Sequence, residues 1–134
     1  MPRELQNITH RAGDKRVIIF GPVIDLHGHY VDLSSSNAVW RLAKSPWSTG
    51  DDIMVSKDTS SSGGIEITRE DKYGVWAYSV EVTLDPADTA DLPPCRAPNK
   101  WFHACETLDA TAQPSTIAEG FFDLRPSILN QSVT

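Results

Sequence analysis

The sequence predicts an all-β protein, an immunoglobulin-like antiparallel β-sandwich of seven to eight strands, and three observations predict it. In Tyr73 to Leu84, Trp76, Tyr78, Val80, Val82 and Leu84 share one parity while Ala77, Ser79, Glu81 and Thr83 share the other. Strict alternation of that length is the signature of a pleated ribbon with one face on a core. Nine Pro and eight Gly are spread through 134 residues, so the chain turns often. No stretch carries a helical apolar period for longer than about one turn.

The elements follow in order. Met1 to Gly13 is polar and reads as a loose arm, either a disordered terminus or a segment that docks on a neighbouring subunit. Lys15 to Gly21 is a short apolar run that suits a strand buried on both sides. Tyr30 to Leu33 resumes an extended pattern after the Asp25-to-His29 turn, giving a hairpin-like pair. Ala38, Trp40 and Leu42 then share a face opposite Val39, Arg41 and Ala43, which predicts a second core strand. Asp52 to Lys57 and Ile65 to Thr68 are shorter strands, separated by the polar loop Asp58 to Gly64.

After the long strand, Asp85-Pro86 and Pro93 bracket a single helical turn: Asp85 caps, Pro86 is pre-set for the first helical position and Pro93 stops it. Lys100 to Leu108 and Ile117 to Leu124 alternate around the polar turn Asp109 to Ser115 as an antiparallel pair. Trp40, Trp76 and Phe121 are the expected large core residues. The resulting division is a polar arm over 1–13, a sandwich over 14–125 and a flexible tail over 126–134, with a small barrel as the other closure.

Composition narrows the function. The net charge of -6 and pI near 5.0 argue against a nucleic-acid partner, whose protein usually offers a basic face. No apolar run reaches the roughly 20 residues of a membrane span, and the opening residues lack a signal-peptide core, so the expectation is a chain kept in the cytoplasm. Cys95 and Cys105 are the two cysteines, with a spacing that matches no zinc motif; in a reducing compartment they read as small buried residues, a bridge between them being the other possibility.

The sequence of features resembles one family. A hairpin ending in Val31-Asp32-Leu33-Ser34, the strand Ala38-Val39-Trp40-Arg41-Leu42, the strand Gly64-Ile65-Glu66-Ile67, the Asp88-Thr89 and Leu92-Pro93-Pro94 turn, and the closing Glu119-Gly120-Phe121-Phe122-Asp123-Leu124-Arg125-Pro126 resemble the immunoglobulin-like domain of tailed-phage baseplate and tail proteins. The likeness extends over about Lys15 to Ser127. It departs from that pattern at Pro98-Asn99-Lys100-Trp101-Phe102, where the family has a glycine-tyrosine. The resemblance implies a virion component, made in the cytoplasm of a bacterial host, that binds other tail or baseplate proteins and forms a homo-oligomer.

Side chains with chemistry are few. His27 and His29, two apart, could join Asp25 and Asp32 around a metal, but Gly28 between the imidazoles favours a solvated turn. His103 beside Cys105 has the composition of a base and a thiol nucleophile, in a strand that reads as structural. Asp85, Asp88 and Asp91 lack the ligand spacing and glycine of a calcium loop, so capping explains them better. The expectation is therefore a protein that is not an enzyme and holds no cofactor or metal. Its contacts would run through guarded sheet edges, Asp52 to Lys57 and Ile65 to Arg69, and through the arm. A carbohydrate-binding sandwich, stacking sugars on Trp47 and Tyr73, is the alternative.

Overall fold

The computed structural model describes residues 4–45, 52–92 and 100–126. Its strands are β1 (Glu4–Leu5), β2 (Ile8–Arg11), β3 (Arg16–Phe20), β4 (Asn37–Ala43), β5 (Ile53–Asp58), β6 (Ile65–Lys72), β7 (Val75–Leu84), β8 (Trp101–Leu108) and β9 (Pro114–Arg125), with the helical turn α1 (Pro86–Thr89) after β7. A six-stranded sheet runs β1-β9-β8-β4-β5, with β2 also on β9, and a three-stranded sheet runs β3-β7-β6. Consecutive strands β3 and β4 lie in different sheets, and β7 and β8 do too. This is the connectivity of an immunoglobulin-like sandwich.

Each inner face is built by alternation. Ala38, Trp40 and Leu42 of β4, Cys105 of β8, and Phe122 and Leu124 of β9 meet Ile18 and Phe20 of β3 and Val80, Val82 and Leu84 of β7, all of them buried. In immunoglobulin domains a disulfide joins the strands equivalent to β3 and β8 beneath the core tryptophan. Here an aromatic stack stands in that place. The Phe20 and His103 rings lie 5.8 Å apart, and Trp40 donates its indole N–H to His103 Nδ1 at 3.2 Å.

The N-terminal residues 4–12 are not a loose arm. β1 and β2 pair in parallel with β9, Glu4 against Ala118 and Ile8 against Phe122, and Ile8, His10 and Ala12 are buried. Parallel pairing was illegible from composition because Ile8, His10 and Ala12 alternate over too short a run. Gly120 permits this docking: a Cβ there would collide with the Gln6 carbonyl. The polar tail from residue 127 lies outside the described residues.

Two expected core residues are exposed, for different reasons. The pairing of β8 with β9 slips between Cys105 and Glu106, leaving Ile117 as an extra residue. Such a bulge reverses the phase of everything beyond it, so Phe122 and Leu124 point inward and Phe121 is 44% exposed. Trp76 keeps the parity of Tyr78 but is 47% exposed. It sits beside the two-residue turn Tyr73-Gly74, whose φ values of 56 and 87 suit a tight hairpin. Both faces of the ribbon are open at that end, Val75 being half-exposed like Trp76, and Trp76 is covered by the Arg69 guanidinium, 4.1 Å above its ring.

The Lys15-to-Gly21 run forms β3, but it is buried on one face rather than both: Ile18 and Phe20 point into the core while Val17 and Ile19 are half-exposed on the outer face of this edge strand. β7 is the central strand of its sheet, beginning at Val75 rather than Tyr73, and β5 and β6 are edges. Residues 30–33 contribute only the bridge between Ile24 and Tyr30 rather than a strand. Around α1, Asp88 Oδ2 accepts the Asp85 N–H at 2.7 Å and pairs with Lys57 Nζ at 2.7 Å, tying the turn to β5.

Candidate functional site

The outer face of the six-stranded sheet carries the opposite parity to its core, and register alone assembles a hollow there. One cross-strand row runs Ser56, Arg41, Ala104, Glu119 and Leu5, and the next runs Ile53, Ala43, Phe102 and Phe121. The small side chains of Ala43 and Ala104 form a floor. Around it stand Leu5, Ile53 and the Phe102–Phe121 pair, whose ring centroids are 4.9 Å apart, bounding a hollow open to solvent with a volume of about 410 Å³. That volume lies in the range of small-molecule pockets, roughly 300–1,000 Å³. Arg41 is exposed and has no hydrogen-bond or ion-pair partner among the described residues.

The sheet edges form a second kind of surface. β5 is held by the Lys57–Asp88 ion pair, and β6 carries Glu66, Arg69, Glu70, Asp71 and Lys72. β3 has no comparable guard. Both N-terminal strands go to β9, so nothing among the described residues pairs the outer side of β3, and Val17 and Ile19 are 50% and 53% exposed beside it. Its one flanking charge within the strand, Arg16, turns away to donate to the Thr9 carbonyl at 2.6 Å.

The side chains singled out for metal chemistry lie in the exposed loop after β3. Asp25 Oδ1 accepts the backbone N–H groups of His27 and His29 at 2.8 and 3.0 Å, and these bonds, His29's first, hold its carboxyl below the usual range. The imidazole centroids stand 6.4 Å apart, and Asp32 caps the Ser34 amide instead of joining them. Among the described residues no three His, Cys, Asp or Glu side chains converge as a metal site. The loop is a turn built on an aspartate cap.

His103 and Cys105 face inward together. Burial pushes the Cys105 thiol up to about 12, with Glu106 adding to the effect, so the nucleophilic thiolate is suppressed. The two nitrogens of His103 are both engaged: Nδ1 accepts from Trp40 and Nε2 donates to the Gln6 carbonyl at 2.6 Å. That geometry demands the neutral imidazole, and burial lowers its pKa despite the Gln6 bond and the Glu119 charge. The pair is a structural clamp between sheets and N-terminal segment, not a base beside a nucleophile. Of the sugar-stacking candidates, Tyr73 is fully exposed at the hairpin tip and Trp47 lies outside the described residues, as does Cys95.

Sequence reasoning missed the hollow and the open β3 edge. A signal existed for the first, the small Ala43 and Ala104 on the outward parity of neighbouring strands, but the bulge at Ile117 concealed that Phe121 belongs with them. No helix among the described residues is long and apolar enough to cross a membrane. No protein-family model matches the chain, and no curated protein matches it.

Proposed function

We propose that the chain is a non-enzymatic assembly module that docks on other proteins through an open sheet edge, as a structural component of a phage-type tail or baseplate made in a bacterial cytoplasm and carried in the virion. The observation that supports this most is the β3 edge, with its half-exposed Val17 and Ile19 and with its in-strand charge, Arg16, engaged at the Thr9 carbonyl. Soluble sandwiches ordinarily blunt such an edge with charge, proline or a bulge, because its unpaired amides and carbonyls template another strand. An unblunted edge beside two blunted ones marks the place where a partner strand adds. The virion assignment rests on the resemblance of the strand and turn motifs from Val31 to Pro126.

Size-exclusion chromatography with light scattering tests the docking. The wild-type chain, alone or mixed with candidate tail proteins, should form a defined larger species. The double variant Val17→Lys and Ile19→Lys, whose side chains point outward from β3, should remain a folded monomer. A wild type that stays monomeric at high micromolar concentration and in every mixture, or a variant that associates unchanged, contradicts the reading.

A further inference from the structure

We infer that the hollow on the outer face of the six-stranded sheet binds a small amphipathic carboxylate, with its apolar body on Phe102 and Phe121 and its acid group on Arg41. This site lies on the opposite sheet from the β3 edge and does not depend on the assembly reading. The hollow is a consequence of register. Ala104 is flanked in its row by Arg41 on β4 and Glu119 on β9, while Ala43 and Phe102 pair in the adjoining row. Two alanines diagonal to each other on β4 and β8 lower the floor where bulkier residues would fill it. The phase reversal at Ile117 then sets Phe121 against Phe102 as an aromatic wall.

The apolar part alone would take many hydrophobic bodies, and Arg41 selects among them. A guanidinium offers five N–H donors in a fork that fits a carboxylate, and Arg41 has no partner among the described residues to occupy it. Glu119 lies two strand spacings away, about 10 Å across the sheet, beyond the far side of Ala104. The strand β8 lies between the strands that carry Arg41 and that carboxylate. The apolar body lies between them, over the alanine floor. A cation at the Arg41 end would meet like charge, and a neutral head group would leave the fork unfilled.

The probes are 4-phenylbutyrate, 4-phenylbutan-1-ol and 4-phenylbutylamine, which share one apolar body and differ in the head group. Titration followed by amide NMR on the full chain should show saturable shifts for 4-phenylbutyrate at Phe102, Ala104 and Phe121. Its affinity should exceed that of the alcohol by about fivefold, the range of an exposed ion pair. Arg41→Gln should erase the difference between acid and alcohol while leaving the alcohol's affinity unchanged. Ala104→Leu, which raises the floor, should weaken both. Shifts that do not saturate or that map away from this face, an alcohol or amine that binds as well as the acid to the wild type, or an Arg41→Gln variant that still prefers the acid would overturn the assignment. If Ala104→Leu does not fold, the head-group series on the wild type and on Arg41→Gln decides.

Discussion

Trp40 and Trp76 have the same sequence signature, a tryptophan on the apolar parity of an alternating strand, and opposite fates. Trp40 lies midway along β4, between β5 and β8, with Phe122 6.1 Å away and His103 accepting its N–H. Trp76 lies one residue from the start of β7, where both faces of the ribbon are half-exposed and an arginine replaces a core neighbour. Parity decides which face a side chain takes. Burial also needs an opposing layer at that height along the strand, and local sequence carries no record of where the other sheet ends.

The largest effect expected from this contrast is at the buried ring. Trp40→Ala should destabilise the fold by about 3 to 5 kcal/mol, since it empties a packed aromatic site and leaves His103 Nδ1 without its donor. Chemical denaturation measures it, and a loss below about 1 kcal/mol would mean that the two sheets do not close over β4.

His103→Phe comes next, at about 1 to 3 kcal/mol, the cost of stranding the buried Trp40 N–H. The same imidazole should give the wild type an acid limb. Burial lowers the folded pKa of both His103 and His10, the latter also through Arg16, with Asp14 opposing. Below the ordinary imidazole value of 6.5 the unfolded chain therefore binds more protons than the folded one. Stability is full above that pH and should fall as pH drops through it towards the lowered values. The Phe variant should show a shallower limb, with His10 supplying what remains; an unchanged slope would place His103 in solvent.

The smallest effect belongs to the half-exposed ring. Trp76→Ala should cost less than about 1 kcal/mol, the scale of an exposed cation–π contact with Arg69. A loss comparable to that of Trp40→Ala would erase the distinction between the two positions.

The same logic says how much was legible in advance. The all-β class, the strands β4 to β9, the turn at α1 and the edge positions of β5 and β6 were all readable, because alternation and turn residues are local properties. Two features were not. The parallel docking of β1 and β2 depends on Gly120, more than 100 residues away, leaving room for the Gln6 carbonyl. The inward turn of Phe122 and the outward turn of Phe121 depend on one extra residue opposite Cys105. Both surfaces offered for function inherit that difficulty: the hollow needs the bulge, and the open β3 edge exists because the N-terminal strands pair elsewhere. The His27–His29 turn was correctly read as a turn from Gly28 alone, with Asp25 supplying the cap.

The contrast between regions extends to the edges, where β3 is open and β5 and β6 are guarded, and hydrogen exchange as a function of protein concentration tests it most directly. Amides on the outer side of β3, within Arg16–Phe20, have no partner strand among the described residues and should exchange quickly in dilute protein. As concentration rises, or when a candidate tail protein is added, exchange should slow within Arg16–Phe20 while β5 and β6 stay unchanged. Exchange in β3 that is indifferent to concentration and partner, or protection that appears in β5 or β6 instead, would contradict β3 as the docking edge.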